Sequence, residues 1–82
     1  ECVETSLAKL VTQNITVPTI GIGASKYCDG QILVFDDLIG LNPMNYRFVK
    51  KYANIRNYIS KAVLNYSKEV RKIKFPKKKN SY

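Results

Sequence analysis

The chain reads as an α/β protein built on parallel strands. Three observations lead there: helical spacing opens the chain, helical spacing closes it, and two short apolar runs lie between. Strands alternating with helices are the pattern of a parallel sheet. With 82 residues there is room for one small domain and not for two.

Residues 4–14 are expected to be a helix. Leu7, Leu10 and Val11 recur at helical spacing, Thr5 or Ser6 is the expected cap, and Asn14 is a stop. Val17-Pro18 then leads into a strand over 18–23, because proline is tolerated at a strand's first residue. Gly21 and Gly23 lie two apart, so in a strand they share one face. Glycine there marks a place where something approaches the backbone closely. Residues 25–30 are expected to be loop, with Asp29-Gly30 as a turn signal. The apolar run 32–35 is expected to be a buried strand. A short helix stays open as its alternative, since periodicity does not decide so short a run. Asp36 or Asp37 would then cap a helical turn ending at Gly40, and Asn42-Pro43-Met44-Asn45 reads as loop.

The clearest pattern is in the second half. Ile55, Ile59, Ala62, Val63, Tyr66 and Val70 recur at helical spacing, while Arg56, Lys61, Lys68 and Arg71 fall mostly elsewhere on the wheel. This predicts an amphipathic helix over 54–72. Pro76 ends any continuation. The organisation expected is therefore one domain portion over 1–76 and a mobile basic tail over 77–82. Two or three parallel strands cannot cover both of their own faces, so the sequence reads as a piece of a larger domain.

Charge is divided unevenly. Residues 1–46 hold two lysines against five carboxylates, and residues 47–82 hold twelve Lys and Arg against Glu69 alone. Such asymmetry suits either a solvated basic helix and tail or an anionic partner such as nucleic acid. Tyr58 and Tyr66 on that helix could stack on bases, but Tyr66 is needed on the apolar face. Cys2 and Cys28 make no disulfide framework, and with no histidine in the chain a zinc site is not expected. No histidine is present to activate either thiol as a nucleophile. Reduced thiols of a cytoplasmic protein fit best, and no run is long and apolar enough to span a membrane.

Taken in order, Glu1-Cys2-Val3, Ile20-Gly21-Ile22-Gly23-Ala24, and Asp29-Gly30-Gln31-Ile32-Leu33-Val34 with Asp37 and Gly40 resemble one family. So do Phe48-Val49-Lys50-Lys51-Tyr52-Ala53-Asn54, Ala62-Val63, Tyr66, Glu69-Val70 and Phe75-Pro76. The chain is similar to the C-terminal third of ketopantoate hydroxymethyltransferases. The resemblance implies a (β/α)8 TIM barrel of the phosphoenolpyruvate/pyruvate superfamily, of which this chain would carry about strands 6–8 and their helices. Glu1 would close the sixth strand, 18–24 would be the seventh, 32–35 the eighth and 54–72 the closing helix. Ser25 departs from the pattern, standing where the family often has a third glycine.

The same resemblance implies a reaction. A hydroxymethyl group passes from 5,10-methylenetetrahydrofolate to 3-methyl-2-oxobutanoate, in pantothenate biosynthesis. Glu1 matches the family's proton acceptor. Mg2+ is implied as the metal, with its ligands on earlier strands that this chain lacks. The implied partners are the keto acid, the folate and further copies of the chain in a homodecamer, with no nucleic acid and no membrane. The chemistry suits the residue: a C–H beside a ketone is weakly acidic, and a positioned carboxylate that takes the proton contributes about 10²–10⁴-fold. Asp36-Asp37 is read as a helix cap in preference to a paired-carboxylate site. Gly21 and Gly23 are read as permitting close packing and substrate approach, because they lack the GxGxxG spacing of a phosphate loop. The competing reading is a small basic module that docks anionic partners through residues 47–79. It accounts for the charge but not for the ordered motifs of residues 1–40.

Overall fold

The structure, a computed structural model, describes residues 1–82. It contains α1 (Thr5–Asn14), β1 (Ile20–Gly21), β2 (Gly30–Gln31), α2 (Phe35–Leu38), α3 (Ile55–Arg71) and a 3-10 turn at Lys78–Asn80. The two strands pair in parallel, Ile20 against Gly30 and Gly21 against Gln31.

Helix α1 starts one residue earlier in function than expected. Its cap is Glu4, not Thr5 or Ser6. The Glu4 carboxylate accepts from the N–H groups of Ser6 (3.0 Å) and Leu7 (3.1 Å), and from the Ser6 hydroxyl. Two of the helix's orphan donors are satisfied by one side chain that also sits at the positive end of the dipole. At the other end of α1 Thr12 bonds to the Ala8 carbonyl and to the Thr19 hydroxyl (2.8 Å each), which joins the helix to the start of β1. Ala8, between them, is the chain's one buried apolar side chain.

The strand expected over 18–23 is realised as Ile20–Gly21. The strand expected over 32–35 lies earlier, at Gly30–Gln31, and residue 35 already belongs to α2. The reason is a side-chain clip. Asp29 accepts from the Thr19 N–H (2.8 Å) and hydroxyl (3.1 Å) and returns its own N–H to that hydroxyl (3.2 Å). Gly30 then donates to the Thr19 carbonyl and Ile32 to the Gly21 carbonyl. Pairing is exhausted by Ile32, and Val34 turns the chain into a helix.

Parallel strands usually need a crossover of a dozen residues or more, commonly a helix. Here the connection is residues 22–29 and contains no helix. It is a turn held by the Cys28 N–H on the Ser25 carbonyl and by Gln31 Nε2 on the same carbonyl (2.6 Å).

Helix α2 is capped by the backbone of Val34 and not by Asp36 or Asp37, which lie in its first turn. Asp37 is buried, 6 % exposed, and its carboxylate accepts from Asn42 Nδ2 (2.7 Å). Gly40 follows at φ +72°, a left-handed position suited to glycine after a helix. The chain then loops out and returns, with Tyr52 N–H donating to the Leu38 carbonyl (2.8 Å) and Ile55 N–H to the Ile39 carbonyl (3.0 Å).

Helix α3 matches the expected span within a residue at each end, but no side chain on it is buried. Tyr66 meets the ring of Phe75 edge-on at 5.6 Å, and apart from half-buried Ile55 the rest of the apolar stripe is exposed. The chain is correspondingly long and flat, 67 × 25 × 13 Å. The basic tail carries the 3-10 turn at Lys78–Asn80 where no structure was expected, and all its residues are exposed.

Candidate active site

Three stretches of chain end side by side. Cys2 N–H donates to the Ile22 carbonyl (3.0 Å), which places the N-terminal residues beside the end of β1, and β2 lies on the other side of β1. Beyond these ends lies an open groove of about 960 Å³. Its walls are residues 2–5, 23–26 and 31–33, with Leu38, Arg47, Phe48, Lys50 and Tyr52. Ligands of parallel α/β folds sit at this end of the strands.

The expected close approach to the glycines is real, and the approaching groups are the protein's own. A Cβ on Gly21 would stand 3.1 Å from Cys28 Sγ and from the Gln31 amide. One on Gly23, at φ +60°, would stand 2.6–2.8 Å from Phe48. Phe48 in turn stacks on Tyr46, with centroids 5.9 Å apart. Gly23 therefore lets the 46–48 loop fold over the end of β1 and form the groove's far wall.

Glu1 is exposed and lines a second, smaller hollow of about 170 Å³, with Val11, Thr12, Thr19, Ile20 and Cys28 among its neighbours. The larger groove begins at the next residue, Cys2. Cys2 is exposed and Cys28 half-buried, both as free thiols. Asp37 is occupied by Asn42, while Asp36 is exposed and contributes its backbone carbonyl to Leu41 and Asn42 N–H groups. The two do not form a paired-carboxylate site. No three of the Cys, Asp and Glu side chains gather where they could hold a metal, so these residues do not by themselves fit a magnesium ion.

Sequence reasoning missed Lys26, Arg47 and Lys50 as groove residues. A weak signal existed, since Lys26 and Arg47 stand next to aromatic residues and Lys50 stands two before Tyr52. Only the folding of the 41–54 loop over β1 brings them together.

Parallel strands whose ends converge on a groove define an α/β arrangement of the kind that keeps its ligands at the strand ends. A family model described as ketopantoate hydroxymethyltransferase matches residues 1–78, and the chain belongs to that family. The family is one of (β/α)8 barrels of the phosphoenolpyruvate/pyruvate superfamily. The chain is 61 % identical over 82 residues to a 3-methyl-2-oxobutanoate hydroxymethyltransferase of Pelagibacter ubique. It covers all of this chain and 32 % of that relative. It is 50 % identical over 82 residues to 3-methyl-2-oxobutanoate hydroxymethyltransferase 2 of Zymomonas mobilis. It is 45 % identical over 83 residues to a relative of the same name, without the number, from Clostridium botulinum (strain Langeland). In both comparisons all of this chain and 30 % of the relative is covered. The chain thus spans about 30 % of the length of the curated relatives it matches. No helix in it is long and apolar enough to cross a membrane.

Proposed function

We propose that this chain forms about strands 6–8, with their helices, of a cytoplasmic barrel enzyme. That enzyme transfers a hydroxymethyl group from 5,10-methylenetetrahydrofolate to 3-methyl-2-oxobutanoate, for pantothenate biosynthesis, and works as a homodecamer. The observation that carries the reading is the family match over residues 1–78, joined to Glu1 standing one residue before the backbone bond at the end of β1. In this reading the Glu1 carboxylate accepts the proton on C3 of the keto acid. The electron pair left on C3 forms a bond to the one-carbon unit, both C–N bonds of the folate methylene bridge break, and water supplies the hydroxyl group. The second proton of that water and the proton taken from C3 end on the two folate nitrogens, which leave as tetrahydrofolate. Gly23 lets Phe48 close over the end of β1, and Phe48 screens that end from solvent. A magnesium ion finds no ligand set in these residues; in this reading its ligands lie on other strands, and no step above is routed through it.

The test is Glu1→Gln in the full-length enzyme. The change is nearly isosteric, so folding and assembly are expected to survive. Exchange of the C3 proton with solvent, followed by NMR without the folate, is expected to slow about 10²-fold or more. An unchanged exchange rate would show that another residue is the base.

A further inference from the structure

The groove at the strand ends carries three cationic side chains. Lys26 comes from the turn after β1, and Arg47 and Lys50 come from the loop between α2 and α3. Its one acidic wall residue, Glu4, is already engaged as the cap of α1. The charge facing the groove is therefore positive and not internally neutralised.

The head groups are also available. Lys51 shows the contrast: its ammonium donates to the Asn42 carbonyl (3.1 Å) and to Asn45 Oδ1 (2.9 Å), which ties it to the loop. Lys50, next to it, rests over the Tyr52 ring at 4.8 Å, and Lys26 rests over Tyr27 at 5.4 Å. An aromatic face steadies an ammonium without consuming its N–H donors. Arg47 adds a planar fork that suits a carboxylate.

A small keto acid carries a single carboxylate, which one of these cations would satisfy. Three separate cations match a ligand with several anionic groups. We infer that Lys26, Arg47 and Lys50 hold the glutamyl carboxylates of the folate donor. The assignment rests on the reaction proposed above and adds to it the residues that select a polycarboxylate co-substrate.

The test compares two variants of the full-length enzyme. One carries Lys26→Gln, Arg47→Gln and Lys50→Gln together. The other carries Lys61→Gln, Lys68→Gln and Arg71→Gln, which remove the same charge from α3, away from the groove. Michaelis constants are measured for the keto acid and for folate donors bearing one or several glutamyl groups, at low and high salt. The groove variant is expected to raise the folate KM about ten-fold or more, as the loss of charge-assisted bonds implies. The effect is expected to be larger for the longer glutamyl chain, with loss of the salt dependence and a keto-acid KM changed less than two-fold. The α3 variant is expected to leave both constants as they were. If the triple variant does not assemble, Arg47→Gln alone is read by the same comparison, with a smaller rise. An unchanged folate KM, an equal rise in the α3 variant, or a rise in the keto-acid KM instead would overturn the assignment. Proton exchange on the keto acid alone separates the two levels. Intact exchange with an unresponsive folate KM removes only the role of the three cations. Absent exchange in the unmodified enzyme removes the proposed reaction.

Discussion

Replacing Gly40 by alanine tests how the chain is tied between α2 and α3. Gly40 sits at φ +72°, where an L side chain is strained, and a Cβ there would overlap the carbonyl oxygen of Ala53. It would also stand 3.2 Å from Ala53 C and Asn54 Cα. All three obstacles are backbone, so no side chain can rotate away. Relief requires the 52–55 segment to move off α2, and that segment is held by the Tyr52–Leu38 and Ile55–Ile39 backbone bonds. The left-handed conformation costs about 1 kcal/mol for alanine, and each lost bond costs about 1 kcal/mol. The sum is roughly 3 kcal/mol, about a hundred-fold in a local opening equilibrium. Hydrogen exchange on the full-length enzyme reads this directly. The amides of Tyr52 and Ile55 are expected to exchange about a hundred-fold faster in Gly40→Ala, while those of β2 keep their rates. Unchanged protection at both amides would refute the claim that glycine is required there.

Two further outcomes follow from the helices. Ile59→Asp in the full-length enzyme is expected to reduce soluble, assembled protein sharply, because Ile59 lies on the apolar stripe that the rest of a barrel must cover and a buried charge is costly. Lys61→Asp should fall within about 0.5 kcal/mol of the unmodified enzyme, and equal losses on size-exclusion chromatography would show that the stripe faces elsewhere. Glu4 is held below its usual carboxylate range first by its side-chain bond to Ser6, then by the Ser6 and Leu7 N–H groups. A depressed folded-state value means that the cap's contribution is present above the unfolded value, near 4.5, and fades as pH falls through the folded one. Exchange at the first-turn amides of α1 is therefore expected to quicken below that pH, and Glu4→Gln should abolish this step. A step that persists in Glu4→Gln would assign it to another group.

How far the sequence could be read depended on the range of the interactions involved. The bounds of α3 were legible because a period repeated over seventeen residues outweighs any local ambiguity. The start of α1 was misread at Thr5 and Ser6 because a glutamate reaching forward to two N–H groups is a rarer cap than a hydroxyl. The second strand was displaced because the 32–35 run is apolar enough to be a strand. Its pairing partner was instead chosen by Thr19 and Asp29, ten residues apart. In the groove, the need for glycine at position 23 was visible, but the group that needs it was not. Phe48 lies far along the chain, and only the return of the 41–54 loop brings it there. The same loop brings Arg47 and Lys50 to the groove that Lys26 also lines, and no spacing rule within the sequence carries that information.

The helix-free link between β1 and β2 bears on the order in which the molecule assembles. Parallel pairing is ordinarily slow, because a long stretch of chain must be restrained before the first rung forms. Here only residues 22–29 separate the strands, and the entropy of closing so short a loop is small. Its two ends are moreover latched by the Thr19–Asp29 bonds. Pairing of the two strands therefore carries a small entropic cost and does not depend on α3.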